Sequence, residues 1–145
     1  MIFLLLIMRF ILGGVFVYSG FSKLIVPIEN FAAVIEGYQF LKPQFVQPLA
    51  FILPWFELIF GVFLCTGFFS RLSAALLGFF SAVFFTLLLR SLILGLPITE
   101  CGCFGAGISL APKQAIFLDS GLFLMAVCLT CFPSRLFSLD KKLQK

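Results

Sequence analysis

Four apolar runs, each about as long as a bilayer core is thick, dominate the chain: residues 2–21, 48–69, 72–94 and 115–132. A helix rises about 1.5 Å per residue, so roughly 20 such residues cross a hydrocarbon layer about 30 Å thick. Nothing else in the sequence limits the fold as tightly. Backbone polar groups inside lipid must be satisfied within their own segment, which leaves helices for runs of this length. The composition agrees. Of 145 residues, 62% are hydrophobic, 11% are charged and 22 are Phe. A soluble domain is about a quarter charged and too small at this length to bury so much apolar surface.

The expected fold class is therefore all-α: an integral membrane four-helix bundle forming one domain over residues 1–145. The second and third runs are separated only by Ser70 and Arg71, which predicts a tight helical hairpin. The first run has no basic stretch before it, carries Arg9 inside it and is followed by no small-x-small site, so it reads as a retained helix and not a cleaved signal. Between the first two spans, Pro27 and Pro43 bracket a segment in which Ile28, Phe31, Ala32, Ile35 and Tyr38 recur at helical spacing opposite Glu29, Glu36 and Gln39. This predicts a short amphipathic helix at the membrane interface. Gly13, Gly14, Gly20, Gly61, Gly67, Ala74, Ala75 and Gly78 offer close helix approach.

The net charge is +4, but the basic residues are scattered and form no nucleic-acid-binding cluster. Their distribution bears on topology. Arg71, Arg135, Lys141, Lys142 and Lys145 fall on one side, and Lys23, Lys42 and Lys113 on the other. The positive-inside rule then places both termini in the cytoplasm. The segment "TECGCFG", Thr99 to Gly105, falls on the opposite, oxidising side.

Arg9, Glu57, Arg90 and Asp119 fall within spans, where each costs about 2.5–3.5 kcal/mol at a helix centre unless paired. Counting depth from the span ends predicts two pairs, Arg9 with Glu57 and Arg90 with Asp119, with Lys23 near the second. Such pairs can lock helix register alone. In the sharper reading, Arg90 and Lys23 make the outer vestibule electropositive and favour the thiolate of a nearby cysteine.

Five cysteines and no histidine are present. Cys101 and Cys103 flank Gly102, and a disulfide across one residue is strained and easily reduced. Three readings stay open for this pair: a redox-active dithiol, a metal clip and an inert turn. Redox is favoured, because two thiolates without histidine make a poor metal site. Cys128 and Cys131 form a CLTC motif near the inner end of the fourth span, with Cys65 at similar depth. They are a candidate second thiol pair or apolar packing residues. Packing is favoured, since the helix dipole at a C-terminus opposes a thiolate.

Together, "RFILGGVFVYSGFSKL", "LPWFELIFGVFLCTG", Arg90, "CGCFG" and "LDSGLF" resemble the methylamine utilisation protein MauE family, part of a wider DoxX-like group. The resemblance runs from about Arg9 to Leu124. It implies a four-helix membrane protein that supports maturation of disulfide-rich methylamine dehydrogenase. The family pattern marks Arg9, Lys23, Pro54, Trp55, Glu57, Arg90, Cys101, Cys103 and Asp119. Two departures stand out: Leu118 replaces a basic residue common before the aspartate, and CLTC lies outside the pattern.

The functional expectation is a thiol–disulfide redox accessory protein of the bacterial inner membrane. Cys101 and Cys103 would react, tuned by Arg90, Asp119 and Lys23. Its partners would be membrane lipid and a periplasmic thioredoxin-like or cysteine-rich protein. No sequence feature demands a cofactor, although Trp55 and the aromatic belt could hold a quinone. A non-enzymatic assembly factor and a small-solute carrier are the alternatives.

Overall fold

The computed structural model describes residues 2–97, 102 and 110–132. Five helices follow in order: α1 (Ile2–Ile25), α2 (Ile28–Gly37), α3 (Pro43–Thr66), α4 (Ser70–Leu94) and α5 (Pro112–Cys131). All but α2 are long and apolar enough to cross a membrane. The protein is a multi-pass membrane protein.

Local chemistry explains where the helices end. Pro43 and Pro112 open α3 and α5, where a missing N–H costs nothing and the fixed φ suits the helix. Both helices therefore start before the apolar runs suggest, α3 at Pro43 and α5 at Pro112. Gly67 closes α3 in the left-handed conformation, and Phe68 N–H donates to the Phe63 carbonyl at 2.9 Å. Gly95 closes α4 in the same way, with Leu96 N–H on the Ser91 carbonyl at 3.0 Å. Only residues 67–69 separate α3 from α4, so the expected tight hairpin forms.

The main packing partners are not the hairpin neighbours. α1 packs chiefly on α3, and α4 on α5. Glycine makes the first seam possible. A Cβ at Gly20 would lie 2.7 Å from the Pro54 carbonyl oxygen and 2.8 Å from Leu58 N, so the two backbones touch there. Gly13 and Gly61 continue that seam, and Gly78 meets Ala126 between α4 and α5. Gly14, by contrast, faces open space. In lipid such packing is the chief source of helix association. Leu12, Leu64, Leu77, Leu122 and Leu129 fill the core between the four long helices.

The α1–α3 register is offset. Arg9 lies at the last turn of α3, so residues 2–8 run past the end of that helix. At the other end α1 stops while α3 continues, and α2 occupies the vacated flank. Phe31, Ala32 and Ile35 of α2 pack against Val46, Ala50 and Leu53 of α3. Tyr38 packs with Leu88 of α4 and Ala115 of α5. The amphipathic helix thus buries its apolar face on protein.

Candidate functional site

Ser19 and Lys23 are four residues apart on α1 and share one face. Both meet Glu57 of α3. Lys23 Nζ donates to Glu57 Oε1 at 2.9 Å and Oε2 at 2.8 Å, and Ser19 Oγ donates to Oε2 at 3.1 Å. The two charged side chains are wholly buried. Two rings enclose the ammonium: Phe31 of α2 with its centroid at 4.9 Å and Phe84 of α4 at 5.2 Å. A cation desolvated over aromatic faces gains from their quadrupoles. The pair therefore ties α1, α2, α3 and α4 at one point.

A second buried carboxylate lies close by. Asp119 of α5 is 3% exposed, and its backbone carbonyl accepts from Ser81 Oγ at 3.4 Å. Asp119, Glu57, Ser19 and Ser81 line one small cavity of about 20 Å³. That is room for a single water among several polar groups.

The expected pairs are corrected. Arg9 does not reach Glu57. Its Nη2 donates to the Cys65 carbonyl at 3.4 Å, and Cys65 lies eight residues beyond Glu57, about 12 Å along α3. That carbonyl is one of the last in α3 and lacks a helical partner, so the arginine acts as a C-terminal cap where the dipole favours a cation. Arg9 Nε and Nη1 are buried without a hydrogen-bond partner. Arg90 does not pair with Asp119 either. Among the described residues the ion pair inside the bundle is Lys23–Glu57. Arg90 is exposed, whereas Asp119 is buried. Asp119 faces Ser81, and Arg90 follows Ser81 by nine residues, about two and a half turns, which turns it to the opposite side of α4. Lys23, expected near Arg90 and Asp119, is neutralised by Glu57.

Cys101 and Cys103 lie outside the described residues. Gly102, between them, is described. It is buried with φ +69°, and a Cβ there would lie 2.5 Å from Val34 Cγ1 of α2, with Phe31 Cε2 at 3.8 Å. Only glycine fits that conformation and that contact. Phe31 is the same ring that covers Lys23.

The remaining cysteines lie in two places. Cys65 packs on Gly13 in the α1–α3 seam, whereas Cys128 and Cys131 are exposed on α5; all three are free thiols. No group of three or more His, Cys, Asp or Glu side chains able to hold a metal ion occurs among the described residues. Trp55 is 45% exposed. Sequence reasoning missed Ser19, Ser81, Phe31 and Phe84. Only Ser19 carried a signal, its four-residue spacing from Lys23.

The family model of the methylamine utilisation protein MauE matches residues 1–133. The chain belongs to the MauE family. No curated protein and no solved structure matches it. The match makes this a methylamine-utilisation-related membrane protein, and the matched span includes the buried Lys23–Glu57 pair and the CGC segment.

Proposed function

We propose that this MauE-family chain is a thiol–disulfide redox accessory protein of the bacterial inner membrane. In this reading both termini are cytoplasmic, and the CGCFG segment faces the periplasm. Residues 1–145 work as one domain. Cys101 and Cys103 take two electrons and two protons from a pair of partner thiols. The partner gains a disulfide, and the S–S bond between Cys101 and Cys103 opens to two thiols. A mixed disulfide is the intermediate. The client is a cysteine-rich secreted protein, of the kind the disulfide-rich subunit of methylamine dehydrogenase represents.

The observation that carries the reading is the seat of Gly102 against Val34 and Phe31. The residue joining the two cysteines is held on α2, and α2 rests on the buried Lys23–Glu57 centre. A reactive pair needs such anchoring, because positioning is what a supporting shell supplies. Since Glu57 neutralises Lys23, Lys42, Arg90 and Lys113 are left to supply positive charge at that end of the bundle.

Thiol trapping in native membranes tests the reading. Cys101 and Cys103 are expected to resist alkylation until dithiothreitol is added. Their double serine variant is expected to leave client disulfides unformed. Free thiols in oxidising conditions, with normal client disulfides in the double variant, would favour a non-enzymatic assembly factor. Gly102→Ala combines a φ that L-residues avoid with a clash on Val34, a cost of about 1–3 kcal/mol. It is expected to slow client oxidation while both cysteines are still present.

A further inference from the structure

A cavity of about 340 Å³ lies between α2, α3 and α4. Its walls are hydrocarbon, with Ile35 of α2, Leu49 and Leu53 of α3, and Val83 and Leu87 of α4 among them. Two further walls, Phe40 and Phe79, are 58% and 63% exposed, so the cavity opens sideways to the membrane. Two cations stand at one end of it. Arg90 follows Phe79 and Val83 by eleven and seven residues, about three and two turns of helix. It therefore continues their stripe of α4, beyond Leu87 and toward the helix end at Gly95. Lys42 follows the wall residue Leu41 and precedes Pro43, the first residue of α3. The start of α3 and the end of α4 share one end of the bundle, because the two helices form a hairpin. Tyr38 packs on Leu88, which brings the chain between α2 and α3 within a turn of Arg90. Both cations are exposed, and the ion pair among the described residues belongs to Lys23 and Glu57. Glu29 and Glu36 of α2 are also exposed and are not walls of the cavity.

We infer that this cavity holds one acyl chain of an anionic phospholipid, with the headgroup phosphate taken by Arg90 and Lys42. An acyl chain asks nothing of its walls but hydrocarbon. From Phe80 to Leu87 the cavity runs seven residues along α4, about 10 Å, which suits the part of a chain nearest its headgroup. An arginine in a spanning helix carries a charge that lipid tails cannot satisfy. Its long stem lets the guanidinium reach the interface, where its planar fork fits a phosphate through two hydrogen bonds. Lys42 adds a second positive charge at the same level. Two cations favour a headgroup with net negative charge over a zwitterionic one, whose ammonium they repel. The competing occupants are a zwitterionic phospholipid in the cavity and a free phosphate on the two cations, and the experiment separates all three.

The test uses the full chain purified in detergent and a phosphatidylglycerol whose acyl chain carries a photoreactive diazirine. In the wild type, labelling is expected to saturate and to fall on residues 79–87. Unlabelled phosphatidylglycerol is expected to compete at about tenfold lower concentration than phosphatidylethanolamine with the same chains. Glycerol phosphate, which has the phosphate and no chain, is expected to leave the labelling unchanged. The double variant Lys42→Gln, Arg90→Gln is expected to bind phosphatidylglycerol about tenfold more weakly and to lose the preference between the two lipids. Val83→Trp fills the cavity from α4 and is expected to weaken both lipids alike. If Val83→Trp does not fold, the wild-type labelling and the exposed-site variant still decide. The inference is overturned by labelling spread evenly over the lipid-facing helices, by equal competition from the two lipids, or by glycerol phosphate that competes. A double variant that keeps the wild-type preference, or a folded Val83→Trp labelled as the wild type is, also overturns it. These outcomes leave the thiol–disulfide reading untouched.

Discussion

Helix α1 carries two buried cations, Arg9 and Lys23, and the bundle treats them differently. Lys23 has a carboxylate contacting it through both oxygens, a serine that binds the same carboxylate, and two aromatic faces. Arg9 has one long hydrogen bond to a helix-end carbonyl, the Phe10 ring at 5.4 Å, and two nitrogens left over. Burial alone does not separate them, since Arg9 is 2% exposed and Lys23 is 3%. What differs is how many elements meet at each charge. Lys23 gathers four helices, whereas Arg9 closes the end of one. A fully satisfied network specifies an arrangement, while a half-satisfied one only tolerates its charge.

Substitutions at Glu57 have the largest expected effect. Glu57→Gln removes the carboxylate that holds Lys23, and breaking such a buried pair costs about 3–5 kcal/mol. Thermal unfolding in nanodiscs is expected to show a large loss of stability. The double variant Lys23→Met, Glu57→Leu is expected to recover most of it, because apolar replacement of a buried pair is often neutral. A double variant as unstable as the single would break the view that the pair is what needs satisfying.

Phe31→Leu is expected to act next. It removes a cation–π contact of about 0.5–2 kcal/mol and the wall shared with Gly102. Faster alkylation of Cys101 and Cys103 after reduction by dithiothreitol should accompany a modest fall in melting temperature. A fall in stability with unchanged alkylation would show that Phe31 serves the cation alone. The smallest effect belongs to Arg9→Met. The loss of a helix-end interaction of about 0.3–1 kcal/mol is offset by relief of unpartnered donors. Stability within about 1 kcal/mol of wild type is expected. A loss as large as that of Glu57→Gln would erase the contrast between the two cations.

The spans were legible because apolar runs of bilayer length admit few folds. Their ends were less so: Pro43 read as a bracket of the segment before it, yet Pro43 and Pro112 both serve as first helical residues. The charge pairs were misread for a geometric reason. Depth counted from span ends assumes that helices start flush, but α1 is offset along α3 by the close contact of Gly20 with Pro54 and Leu58. That contact comes from a missing side chain, which no hydropathy pattern records. Arg90 was placed by depth without regard to its face, and nine residues of helix turn it away from Ser81 and Asp119. The enclosure of Lys23 by Phe31 and Phe84 joins residues far apart in sequence, among 22 phenylalanines that look alike.

The seat of Gly102 has a consequence for chain statistics. Helices α4 and α5 pack on each other, and residues 95–111 join them. A usual connection between bundle helices needs about two to eight residues. The extra length reaches across to α2, where Val34 holds Gly102. Gly102 thereby divides the connection at a point seated on α2. Longer loops carry more closure entropy. Freeing Gly102 from Val34 would remove that division, so one contact bears on the closure entropy of the whole connection.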